Sequence, residues 1–72
     1  METTETITIV VNGESKQAPD GATVLQLLET LGLHPGRVAI ERNLKILLRS
    51  EWDATRVASG DRYEIVQFVG GG

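Results

Sequence analysis

Residues 23–32 read TVLQLLETLG, and how this stretch folds decides the architecture of everything around it. Val24, Leu27, Leu28 and Leu31 recur at helical spacing, so a helix here would carry one apolar stripe toward a core. Thr23 stands just before the stripe and Gln26 three residues later. In that pattern the hydroxyl and the amide each satisfy a backbone N–H of the first turn. Gly32 suits the left-handed residue after the last turn, and Pro35 bars continuation. The expectation is a helix of roughly two to three turns, bounded at both ends.

Upstream, Thr6 to Val11 alternate: Ile7, Ile9 and Val11 fall on one face, Thr6, Thr8 and Val10 on the other, as in a half-buried strand. Asn12-Gly13 follows at once and suits the positive φ angles of a type I′ turn. Residues 14–18 are therefore expected to return antiparallel. Pro19, Asp20 and Gly21 then make a turn before the helix.

Downstream, Val38 and Ile40 alternate with Ala39 and Glu41, which suggests a third strand. Arg42-Asn43 offers a turn into a fourth strand over residues 44–48. Ser50 is expected to cap a single turn that tucks Trp52 against the sheet edge. After a turn at residues 59–61, the last strand should run over residues 62–69. Its alternation sends Tyr63 and Ile65 toward the helix and leaves Glu64, Val66 and Phe68 outside. The order ββαβββ with one helix implies an α+β fold, a mixed sheet of four to five strands over that helix. Residues 1–69 are expected to form one domain, and residues 70–72 a flexible glycine tail.

The chain has 72 residues, no cysteine and a net charge of −3. A domain of this size has a modest core, and with no thiol it can hold neither a disulfide nor a thiolate site. Its seven Lys and Arg are scattered, too sparse to track a phosphate backbone, so nucleic acid is not an expected partner. The apolar residues, 40% of the chain, lie in short runs that cannot span a membrane. The acidic, hydroxylated start METTE lacks the basic region of a signal peptide, and a cytoplasmic location is expected.

Little in the chain suits catalysis. His34 is the single histidine, reads as an ordinary loop residue, and cannot make a metal site alone. Asp20, Asp53 and Asp61 sit where a carboxylate bonding backbone N–H groups is explanation enough. The glycines do not form a phosphate loop, because no helix follows them. The chain is accordingly not expected to be an enzyme, to bind a metal or to hold a cofactor.

What stands out is the finish, VQFVGGG, residues 66–72. Gly70, Gly71 and Gly72 could reach about 10 Å in extended form. They could thread a channel closed to side chains and adopt backbone angles closed to other residues. An unhindered carboxylate on Gly72 could then be presented to the α-phosphate of ATP in another protein. Acyl-adenylation would supply a leaving group that a sulfur nucleophile can displace, giving a thiocarboxylate. The alternative is a strand that frays into residues of no consequence. Phe68 has two readings as well: with Val66 it could anchor a partner beside the tail, or it could pack on Trp52 or the first strand within the domain.

VNGE at residues 11–14, TVLQLLETLGL at 23–33, VAIERN at 38–43 and SEWDATRVASGDRYEIVQFVGGG at 50–72 together resemble the ubiquitin-like β-grasp sulfur carriers, the MoaD/ThiS family. The likeness covers nearly the whole chain and is nearest to the carriers of thiamine biosynthesis. It departs from them in the extra METTE at the start.

The resemblance implies that Gly72 carries the activated carboxylate, that Gly71 shares the passage into the partner, and that Gly70 holds a position usually small. It further implies an E1-like adenylyltransferase of the ThiF type, which uses ATP and magnesium. Thiazole synthase of the ThiG type would accept the sulfur, and a cysteine desulfurase or related persulfide donor would supply it. The free carrier is expected to be a monomer. A ubiquitin-like modifier joined to lysines through Gly72 shares the first step. Delivery of sulfur to molybdopterin or another product is a further alternative.

Overall fold

The computed structural model describes residues 5–68. Five strands, β1 (Thr6–Val11), β2 (Glu14–Pro19), β3 (Val38–Arg42), β4 (Lys45–Leu47) and β5 (Arg62–Gln67), form one sheet, and α1 (Val24–Thr30) lies between β2 and β3 in sequence. The strand order is β2-β1-β5-β3-β4. β1 and β5 run parallel at the centre, and every other pair is antiparallel. This is the mixed sheet on one helix expected of a β-grasp.

The helix forms where its boundary residues place it. Gln26 N donates to Thr23 Oγ1 at 3.1 Å, and Thr23 N donates to Gln26 Oε1 at 2.9 Å. At the other end Gly32 takes φ +74°. Gly32 N donates to Glu29 O at 3.0 Å and Leu33 N to Leu28 O at 2.9 Å, the paired bonds of a Schellman finish. First-turn N–H groups left over are met from outside the helix: Val24 N donates to Thr55 O and Leu25 N to Trp52 O. The segment after β4 therefore completes the helix start, leaving none of these donors orphaned.

Val24, Leu27 and Leu28 are buried on the helix against Ile9, Val11, Val38, Ile40, Tyr63 and Ile65 of the sheet. Alternation thus holds in β1, β3 and β5. Trp52 is buried as well, its Nε1 donating to Leu47 O at 3.1 Å, with the Arg49 guanidinium 5.7 Å from the ring centroid.

Three local expectations are corrected. The β3–β4 turn is centred on Asn43-Leu44, not Arg42-Asn43: both residues have positive φ, +51° and +73°. Strand β4 is accordingly the shorter Lys45–Leu47. Asn43 is held in the left-handed position through its side chain, whose Oδ1 accepts from Arg62 N at 2.9 Å. Ser50 caps nothing. It lies inside a 3-10 turn, Arg49–Glu51, whose start is held by Leu48 N donating to the Glu51 carboxylate at 3.1 Å. Strand β5 ends at Gln67, and Val69 lies outside the described residues.

Leu44 is left at a left-handed position with 90% of its surface exposed. A branched side chain there strains the backbone without any burial to offset it. Leu44→Gly is expected to raise stability by roughly 0.5–1 kcal/mol, read from the urea midpoint. A lowered midpoint would show that Leu44 contributes packing its exposure does not reveal.

Candidate functional site

The tail glycines Gly70, Gly71 and Gly72 lie outside the described residues. What the structure describes is the strand from which they leave, and how firmly that strand is held. β5 occupies the centre of the sheet, between β1 and β3. Beyond the short parallel ladder, Asn12 continues the pairing with its side chain. Its Oδ1 accepts from Ile65 N at 2.8 Å, its Nδ2 donates to Ile65 O at 3.1 Å, and its backbone N donates to Tyr63 O at 2.8 Å. A turn residue thereby substitutes for another residue of strand. On the other side Phe68 N donates to Arg37 O at 2.8 Å, so pairing with the β3 side persists to the last described residue.

The start of β5 is pinned by Asp61, which is 6% exposed. Its Oδ2 accepts from Tyr63 Oη at 2.8 Å, from Ala58 N at 2.9 Å and from Arg42 Nε at 3.0 Å. Its Oδ1 accepts from Asn43 Nδ2 at 3.2 Å. Burial alone would raise the Asp61 carboxyl, but the Ala58, Asn43, Tyr63 and Arg42 donors outweigh it and hold the group below the ordinary aspartate range. Burial and the bond to Asp61 push the Tyr63 phenol up to about 12. For Arg42 burial acts downward, yet the bonds to Asp61 and Tyr63 leave it raised. Reading Asp61 as a turn carboxylate captures only the Ala58 bond. Tyr63 is two residues along the chain, whereas Arg42 and Asn43 reach the carboxylate from 19 and 18 residues away, and no sequence spacing announces those two.

Asp61→Ala would strand a guanidinium, a phenol and a backbone N–H in or near the core, and is expected to cost about 3 kcal/mol. Because the folded carboxyl titrates below its unfolded value, its stabilisation is complete above about pH 4 and is lost as pH falls toward the lower folded value. Asp61→Asn should therefore flatten the acid limb of a stability-versus-pH curve. An acid limb identical to that of the parent chain would remove Asp61 as its source.

His34 precedes a 3-10 turn, Pro35–Arg37, and its Nδ1 accepts from Gly36 N at 2.9 Å, a local capping role. Among the described residues no group of three His, Asp or Glu side chains is placed to hold a metal ion, and no helix is long and apolar enough to cross a membrane. Val66 on the outward side of β5 and Phe68 just past its end are 60% and 53% exposed, while Tyr63 and Ile65 are buried. Trp52 belongs to the core cluster and Phe68 does not, so the reading that buries Phe68 inside the domain is overturned. With Leu44, Ile46 and Leu48 these two are the large exposed apolar residues among those described.

The ThiS family matches residues 4–72. The sulfur carrier protein ThiS of Escherichia coli is 33% identical over 64 residues, covering 89% of this chain and 97% of that protein. A crystal structure of the thiamine biosynthesis protein ThiS from Geobacter metallireducens superposes with a TM-score of 0.78 at 33% identity, covering 92% of this chain and all of that one. A thiazole synthase of Paramagnetospirillum magneticum is 44% identical over 64 residues. Here the match covers 89% of this chain but 20% of the synthase, so the chain spans about a fifth of that relative's length.

Proposed function

We propose that this chain, which belongs to the ThiS family, is a sulfur carrier whose reactive group is the carboxylate of Gly72. The observation that carries the reading is the match over residues 4–72, which runs through the glycines. Similarity to a sulfur carrier protein over 97% of that protein's length supports it. The chain is then a co-substrate with no active site of its own, working in the cytoplasm as a monomer when free.

A carboxylate oxygen of Gly72 attacks the α-phosphorus of ATP, and pyrophosphate leaves. The terminal sulfur of a persulfide then attacks the acyl carbon and displaces AMP. Attack by a thiol on the resulting acyl disulfide breaks its S–S bond, leaving a thiocarboxylate on Gly72 and a disulfide on the donor side. ATP and magnesium belong to the partner, an E1-like adenylyltransferase of the ThiF type. Gly70 and Gly71 thread the tail into that enzyme, where a Cβ would obstruct the passage. Val66 and Phe68 dock beside the tail, an exposed apolar pair suited to anchoring an interface.

The sulfur goes to the thiazole of thiamine, with a ThiG-type thiazole synthase as acceptor. Support comes from two proteins named thiazole synthase that contain a segment similar to this chain, 44% and 41% identical. Intact-protein mass spectrometry after incubation with the adenylating enzyme, ATP, magnesium and a persulfide donor tests the reading. The expected result is one oxygen-for-sulfur gain on the carrier. Covalent adducts to lysine-bearing proteins in place of that gain would convert the reading to a protein modifier.

A further inference from the structure

The outward face of β3, β4 and β5 holds a charge arrangement that folding does not explain. Glu41 and Glu64 are directly opposite each other across the β3–β5 ladder, and Ile46 is opposite Glu41 on the far side. Both carboxylates are exposed. The ion pairs among the described residues are Lys16 with Glu14 and Arg42 with Asp61, so no described cation lies within 4.0 Å of either. Like charges directly opposed on a sheet are destabilising. Around them lies an apolar groove of about 330 Å³ lined by Ala39, Ile40, Ile46 and Val66 as well as the two acids. The small Ala39 opposite Val66 leaves the trough open.

A carboxylate pair in an apolar trough is complementary to a cation on an apolar stem. An arginine or lysine could lay its methylenes along Ile46 and Val66 and place its charge between the two acids. Their Cβ atoms should stand about 5 Å apart at directly opposed positions, within reach of one guanidinium. A second copy of this chain fits poorly, since face-to-face pairing would bring four carboxylates together. The tail leaves from the same strand as Val66 and Glu64, so what covers this trough is the protein that receives the tail. Among the proteins that would receive the tail, the adenylating enzyme meets it first, since no other can take sulfur from Gly72 before that step.

We propose that the ATP-using enzyme that adenylates Gly72 presents a basic side chain, set among apolar neighbours, that seats between Glu41 and Glu64. The proposal rests on the carrier reading and names the recognition chemistry of that encounter. The acid pair steers association and selects the partner, at some expense to the stability of the free domain.

The test is stopped-flow association of the full-length chain with the adenylating enzyme across a series of salt concentrations, for the parent and for E41Q/E64Q. The double variant is expected to associate about tenfold more slowly at low salt, with a flatter salt dependence. Its unfolding midpoint should be unchanged or higher, which separates recognition from structural damage. An association rate and salt slope equal to the parent's would overturn the proposal, while a sulfur gain on Gly72 would leave the carrier reading standing. A salt-dependent effect confined to thiazole synthase, or to self-association in sedimentation, would overturn the assignment to the adenylating enzyme. A parent chain that neither associates nor gains sulfur would overturn both.

Discussion

Leu27→Asp is expected to leave the chain without a cooperative unfolding transition. Leu27 is fully buried in the middle of α1, in one cluster with the sheet residues Ile9, Ile40 and Tyr63. The substitution loses the burial of a leucine, about 2–5 kcal/mol, and adds the cost of a carboxylate without partners, several kcal/mol more even after it takes up a proton. A domain of this length has about 4–11 kcal/mol in all. The two losses together meet or exceed that, so circular dichroism should show a chain unfolded before denaturant is added. Leu27→Ala is the control, expected to remain folded with a lower midpoint. If Leu27→Asp unfolds at the parent midpoint, α1 does not pack on the sheet as described.

The second large effect separates function from stability. A chain lacking Gly72 is expected to gain no sulfur at all, because the acyl carbon that must be adenylated is gone from its place. The same chain should unfold within about 0.5 kcal/mol of the parent, since the buried core residues fall between Ile9 and Ile65. Mass spectrometry and a urea titration on one preparation measure both. Sulfur on the truncated chain would remove Gly72 as the reactive residue. A large loss of stability would mean that the tail belongs to the folded domain.

Features legible in the sequence are those whose physics is local. Thr23 with Gln26, Asn12 with Gly13, and Gly32 each act through neighbours within a few positions, and each is found where its chemistry places it. The parity of β5, with Tyr63 in and Phe68 out, follows from the two-residue period of a strand. The β3–β4 turn is displaced by one residue because Leu44 in a left-handed conformation is not a turn signal. What holds it is Asn43, bonded to Arg62 and Asp61 some 18 residues away. The full roles of Asp61 and Asn12 are hidden for the same reason, since Arg42 and Asn43 reach Asp61, and Ile65 reaches Asn12, from distant parts of the chain. Strand order and the parallel pairing of β1 with β5 are long-range facts as well. For the site, the tail motif and the outward parity of Val66 and Phe68 can be read in advance. The Glu41–Glu64 opposition requires the register, which no single sequence prints.

The parallel pairing of the first strand with the last has a consequence for how the protein is made. Val10 and Val11 must wait for Arg62 and Tyr63, so the centre of the sheet closes across some 50 residues of chain, a slow event with a large entropy of closure. A ribosome delivers these partners in order and at a finite rate. Until β5 has left the exit tunnel, β1 and β2 are a hairpin with no central neighbour, Ile9 is unburied, and α1 has no complete surface to rest on. Nascent chains that stop early are thus unfolded chains, open to proteolysis. A molecule that has reached its folded state has already received the strand from which the glycines depart.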